Sequence, residues 1–292
     1  MTRALGLLGA FRSSTKLSLG IAILILVVLI GILNGPLMAV LAQHVGADPL
    51  DFNANHWKKP DSVNVLGTDG TGRDVLALML TGLVTSLKIG VIAGVISTSI
   101  AVIIAFVAAY KGGVFDAVLA TVTDFFLVIP TLPLLIAFSA FDKNVNLVQI
   151  ALIIAVFGWP GAARHIRSQV LSLRSRPYID LAKVTKLNDF EIIFEELVPN
   201  MLPFIALGMA YAVVAAMTAL VGLEVIGLGP SGVTDLGLVL NLAQSGGALT
   251  LGAWGIFLAP IFILALIFFG LTLVNIGLEE VYNPRLRKVA GA

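Results

Sequence analysis

Apolar residues run along this chain in long continuous blocks, not in the strict alternation of a half-buried strand. Six blocks stand out, at about 17–42, 84–109, 115–139, 146–164, 200–228 and 251–278, each near or above the roughly 20 residues that cross a bilayer core. Backbone groups in hydrocarbon must be bonded within the segment, so blocks of this kind predict helices. The pattern predicts an all-α membrane protein: one transmembrane domain over 1–292 with six transmembrane helices. Between the blocks lie a polar segment at 43–83, a second polar insert at 165–199, a Gly-rich stretch at 229–250 and a polar tail at 279–292.

Composition agrees with the pattern. The chain is 58% hydrophobic and only 12% charged, with a mean hydropathy of +1.02, which excludes a soluble domain with a polar shell. The first block is too long for a signal-peptide core and is taken as a retained span. An even number of spans puts both termini on one side. Of the 18 Lys and Arg residues, 13 fall with the termini and the insert and 5 on the opposite face. The positive-inside rule therefore predicts cytoplasmic termini and a cytoplasmic insert, in a cell membrane.

Net charge is +1 with no basic cluster, so nucleic acid is not a predicted partner. There is no cysteine, and His44, His56 and His165 stand apart, so no metal site and no cofactor are expected in the chain. No cluster of His or paired acids presents an enzyme site. Gly67, Gly72 and Arg73 reproduce the glycine spacing of a phosphate loop, but Arg73 and Asp74 stand where its Lys and hydroxyl belong, so the glycines are read as backbone geometry.

The insert is patterned. Pro177 suits a first helical turn, and Tyr178, Leu181, Ala182 and Thr185 follow at helical spacing. Asn188 or Asp189 then caps a second helix, with Glu191 placed for a capping box and Phe190, Ile193, Phe194 and Leu197 as its apolar stripe. Pro199 and Pro203 predict a stop or bend where the fifth span begins. Elsewhere, Gly90 and Gly94 predict close helix packing. Trp57 and Trp254 suit interfacial anchors. Asp124 and Glu224 lie in apolar blocks, where ionisable groups are costly; Asp124 is read first as structurally paired, to a neighbouring helix or to another subunit, ahead of substrate contact, while Glu224 is left open between the pathway, a loop cap and interfacial water.

Several stretches carry a resemblance. Asp180, Leu181 and Ala182, then Lys186, then Leu197, Val198, Pro199 and Asn200 follow the cytoplasmic-loop pattern of ABC importer permeases, with Lys186 at the usual glycine. LGTDGTGRDVLALMLTG at 66–82 resembles the external signature of the dipeptide, oligopeptide and nickel branch through Gly67, Thr68, Asp69, Gly72, Arg73 and Asp74. AAYKGG at 108–113, TDFFLVIPTLPL at 123–134, IGLGP at 226–230 and NPRLRK at 283–288 are similar to further branch motifs, in order. The chain departs from the branch at Leu220, where members often carry Glu, and at Leu236, Gly237 and Leu238 in place of Trp-Gly-Asn.

The resemblance implies a type I ABC importer permease fold with a coupling-helix loop. It implies one half of a translocation pathway, completed by a second homologous permease and served by two ATP-binding subunits that hold ATP and Mg, by an extracellular or periplasmic solute-binding protein and by membrane lipid. Asp180, Ala182, Lys183, Lys186, Leu187, Asn188, Asp189, Phe190, Ile193 and Pro199 would then contact the ATPase. Cargo would be a peptide, with an oligosaccharide or nickel chelate as alternatives. From another class, a stand-alone secondary transporter would use Asp124 and Glu224 for ion coupling.

Overall fold

A computed structural model describes residues 14–141, 145–177, 179, 188–230 and 232–282. The described residues are helical apart from one isolated bridge between Thr68 and Asp74, with loops between the helices. Five helices are long and apolar enough to span a membrane: α1 Thr15–Ile32, α3 Val75–Lys111, α6 Leu147–Arg174, the run Ile192–Val225, whose regular part is α7 Val198–Val225, and α9 Trp254–Tyr282. A bent pair, α4 Gly113–Val128 and α5 Thr131–Phe141, turned by 68°, brings the number to six when it is counted as one span. The remaining helices are α2 Asn34–Val45 and α8 Leu236–Ser245.

The expected third block at 115–139 is therefore broken. Ile129 is extended and Pro130, which lacks a donor, follows it, so α4 cannot continue into α5. The first block also stops early: α1 ends at Ile32 and α2 begins at Asn34, where Pro36 has no N–H to offer the carbonyl of Ile32. Helix α3 starts at Val75, inside the segment expected to be loop, because Asp74 caps it by accepting the Ala77 amide (3.0 Å). Its 37 residues reach about 55 Å, well past a bilayer core of about 30 Å. Helix α6 likewise runs on to Arg174, well into the expected insert.

The chain forms two compact units. One comprises Met1–Ile89, Ile136–Ile150 and Met217–Ala292, the other Gly90–Leu135 and Ala151–Ala216. In the first, α1 lies antiparallel along α9 on a glycine seam that the pattern did not reveal. A Cβ on Gly20 would come within 2.7 Å of the Gly270 carbonyl, and one on Gly277 within 2.5 Å of the Leu17 amide. Glu280 closes the end of this pair by binding Ser14 (2.8 Å) and Lys16. In the second, Gly94 lets α7 approach α3 at Val213, whose Cγ2 is 2.5 Å from where a Cβ would stand. Gly90 is also buried.

Candidate functional site

The insert rests on a buried platform in the second unit. Phe106, Ala109 and Tyr110 of α3, Trp159, Ala163, Ile166 and Val170 of α6, and Met201 of α7 enclose Ile179, Ile192 and Leu197. The C-terminal turns of α3 and the second half of α6 thus seat the polar stretch. Gly112 and Gly113, at φ 68° and 57°, end α3 and start α4. The space over Gly112 is taken by Arg174, which donates to the Ala109 carbonyl (2.8 Å).

The second half of the insert begins at a capping box. The Asn188 side chain accepts the Glu191 amide (2.9 Å), and the Glu191 carboxylate accepts the Asn188 amide (2.7 Å). Asp189 is anchored from below, accepting the Tyr110 hydroxyl (2.8 Å). After the turn Asp189–Glu191 the backbone takes a π register over Ile192–Leu197. Pro199 has no N–H for the Glu195 carbonyl, and the Val198 amide reaches Ile193 instead. The prolines therefore shift the register and do not stop the helix.

That shift corrects the expected stripe. With i to i+5 bonding, Ile192 and Leu197 share the buried face, Ile193 is half-buried, and Phe194 is 65% exposed. Pro199 sits within the first turn of α7, also half-buried. Asn188 is exposed beside Asp189. Tyr178, Asp180, Leu181, Ala182, Lys183, Thr185, Lys186 and Leu187 lie outside the described residues, as do the Phe190 side chain and the tail motif at 283–288.

The glycine-rich motif at 66–74 belongs to the first unit and is organised around one carboxylate. Asp69, 1% exposed, accepts the Thr71 amide and hydroxyl (both 2.8 Å), the Arg73 amide (2.9 Å) and Arg73 Nε (2.9 Å), with Nη2 at 2.7 Å. Arg73 also lies over Phe52, 5.4 Å from the ring centroid. Asp74 works separately, with one oxygen capping α3 and the other accepting from Asn64 (2.8 Å). Gly67 and Gly72 have φ of 82° and 85°, and each faces backbone so closely that a Cβ has no room. Thr68 holds the Asn55 carbonyl and the Lys58 amide. Trp57 is wedged against Gly70 and Gly246 at φ 53°, so it braces the segment and is not a free anchor; Trp254 is 56% exposed. Asp61 is pulled down to about 2, first by the Lys58 ammonium and then by the Asn64 amide.

Asp124 pairs with Arg164, and two turns away Asp116 makes a two-point bond to Arg167 (2.6 Å each). Glu224 is buried, its carboxyl lying on Gly229 and facing Asp235. Asp235 is a functional candidate that the sequence pattern did not bring forward, though an acid directly before the apolar run of α8 is a cap signal; its Oδ1 accepts the Leu238 amide (2.8 Å). Burial pushes the Asp235 carboxyl up. Glu224 Oε1 and Asp235 Oδ2 are buried without a hydrogen-bond partner.

Among the described residues no group of three His, Cys, Asp or Glu side chains is placed to hold a metal. What the molecule offers is two structured polar segments between spans, one seated on apolar packing and one tied by hydrogen bonds.

Comparison with known proteins accounts for this layout. The sequence profile of the family described as binding-protein-dependent transport system inner membrane component matches residues 100–288. The chain is 35% identical over 243 residues to an oligopeptide transport system permease protein of Mycobacterium bovis, covering 83% of this chain and 82% of that one. It is 29% identical over 277 residues to a dipeptide transport system permease protein of Bacillus subtilis, covering 94% and 83%. A third relative, the oligopeptide transport system permease protein of Lactococcus lactis subsp. cremoris, is 30% identical over 213 residues, covering 71% and 72%. The long helix α3 from Ala101 onward, the platform, the insert and the last two spans all fall inside the matched region, and the chain belongs to the family of inner membrane components of binding-protein-dependent transport systems.

Proposed function

We propose that this chain is the permease half of an ATP-driven peptide importer, and that residues 180–193 are its contact with an ATP-binding subunit. Two such subunits sit beneath two permeases, this chain and a homologous one, and a solute-binding protein delivers cargo to the opposite side. The peptide assignment rests on the named relatives, whose matches extend over most of both chains. The excess of Lys and Arg around the termini and insert supports placing all three in the cytoplasm.

The observation that carries the coupling reading is the seating of the insert. A segment moved by a partner transmits motion only if its base is stiff. Here Ile192 and Leu197 are locked in the α3–α6 platform, Tyr110 holds Asp189, and the capping box fixes the turn while leaving Asn188 at the surface. ATP hydrolysis then belongs to the partner, and this chain converts its closure into movement of α3, α6 and α7. On the opposite side, the Asp69-centred loop with exposed Phe52 and its shallow depression beside Asn53, Ala54, His56 and Thr71 is the docking surface for the solute-binding protein.

The test is purification of the tagged chain from its native membrane in mild detergent, with identification of co-eluting proteins and assay of ATP hydrolysis. The expected result is co-elution of a second permease and ATP-binding subunits, lost on Phe190→Glu with Ile193→Glu. Elution of the chain alone, from membranes whose other transport complexes survive intact, overturns the reading.

A further inference from the structure

Helix α4 packs by a narrow seam. Asp116, Leu119, Ala120 and Phe126 are half-buried and Thr123 is buried, leaving two exposed faces. One, formed by Phe115, Val118, Val122 and Phe125, is wholly apolar and suits lipid. The other is Ala117, Thr121 and Asp124, small and polar at helical spacing, and it runs at the end of the helix into the exposed Val128.

Asp124 meets Arg164 of α6 at this second face, with the two side chains 63% and 59% exposed. Around Arg164 the same face of α6 carries Gly161, Ser168 and Ser172, flanked by the exposed His165 and Leu171, and a Cβ on Gly161 would meet nothing within 4 Å. Between Val128 and Leu171 at its margins the stripe is polar and open, and it runs toward the end of α6 that leads into the polar insert. A charge facing lipid at membrane depth costs about 2.5–3.5 kcal/mol even on the mildest scale, so an exposed ion pair does not belong on a lipid face. Asp116 and Arg167 already staple α4 to α6, so a second pair left this exposed is not required for packing.

We infer that the stripe Ala117, Thr121, Asp124, Gly161, Arg164 and Ser168 faces the water of the translocation path, and that the Asp124–Arg164 pair is a step for charged peptide ends. The peptide part rests on the proposed function above. The chemistry is an exchange: Arg164 can release Asp124 for a peptide carboxylate, and Asp124 can release Arg164 for a peptide ammonium, so a charged chain end passes without losing a counter-charge. Such a pair binds weakly and with either sign, as a passage requires. It differs from a pocket that would retain cargo.

The chain has no cysteine, which makes the test direct. Thr121→Cys and Ser168→Cys on the stripe, and Val118→Cys and Val122→Cys on the apolar face, are made in the assembled complex in membrane vesicles and treated with a membrane-impermeant cationic methanethiosulfonate. Only the thiolate reacts, and apolar surroundings suppress it, so stripe positions should react at least about tenfold faster than the apolar pair. Equal, slow reaction at all four overturns the inference, as does crosslinking of Thr121→Cys to the second permease, which would make the stripe a subunit interface. In parallel, Asp124→Asn with Arg164→Gln keeps a neutral contact; uptake of trialanine should fall while the complex still assembles and hydrolyses ATP. Unchanged uptake removes the charged-end role. A chain that recruits no ATP-binding subunit would instead refute the proposed function, so the two failures are separable.

Discussion

Residues 48–74 and residues 188–197 are both polar stretches between spans, and they are held by different forces. The first is built around Asp69, a carboxylate that accepts from Thr71 and Arg73 and is almost wholly buried by them. Its shape is written locally, in glycines that alone fit φ near 82° and 85° and in side chains a few residues apart. The second takes its shape from residues far away in the chain: Tyr110 is 79 positions from the Asp189 it holds, and Ile192 and Leu197 are fixed by α3 and α6. A loop that folds on itself suits a surface recognised from outside. A loop bolted to long helices suits the transmission of force.

The comparison breaks most sharply at Asp69. Asp69→Ala leaves Arg73 and two amides without their acceptor in a buried site, an expected loss of about 3–5 kcal/mol, read as a lowered unfolding midpoint of the purified protein. If the loop were held mainly by apolar contacts, the loss would be small. On the other side of the comparison, Leu197→Ala opens a cavity in the platform and should cost about 2–5 kcal/mol, with weaker retention of ATP-binding subunits. Wild-type retention after that loss of packing would separate the platform from coupling.

Smaller changes sharpen the contrast. Tyr110→Phe removes one hydrogen bond to a carboxylate, worth about 1.5–3 kcal/mol at most, and should uncouple ATP hydrolysis from uptake more than it lowers stability. Asn188→Ala removes the cap and should cost about 1 kcal/mol, seen as faster amide exchange at 189–192. A pH effect follows from Asp235, whose burial raises its folded-state value above the unfolded one. The folded state therefore holds this proton more tightly than the unfolded chain does, and its stabilising contribution is full below the ordinary carboxylate range and is lost as pH rises through the raised value. Asp235→Asn, which still caps α8, should flatten the alkaline side of the stability profile; an unchanged profile would contradict the buried proton.

The spans were legible in the sequence because apolar length alone defines them, and so were the capping box at Asn188 and the backbone role of Gly67 and Gly72. What was misplaced has physical causes. Helix ends depend on caps such as Asp74 that outrank hydropathy, so α3 begins at Val75, more than two turns ahead of its apolar block. The stripe in the insert was laid out for a period of 3.6, whereas Pro199 follows a π register that turns Ile192 inward and Phe194 outward. The glycine seam between α1 and α9 joins opposite ends of the chain, as does the closure of Ser14 on Glu280, and no local pattern announces it. Asp124 was recognised as costly where it stands, but its counter-ion on α6 became visible only when the two helices were set side by side. Ion coupling by a lone transporter, the rival reading of that residue, gives way to membership of the binding-protein-dependent family.

The central claim is that the insert touches an ATP-binding subunit through its exposed turn. The most direct measurement attaches a photoactivatable crosslinker to Asn188→Cys, the single cysteine of the chain, and irradiates the complex in native membranes. The account predicts a crosslink to an ATP-binding subunit that persists when nucleotide closes the ATPase pair. A crosslink to lipid alone, in a complex that still hydrolyses ATP and takes up peptide, would contradict it.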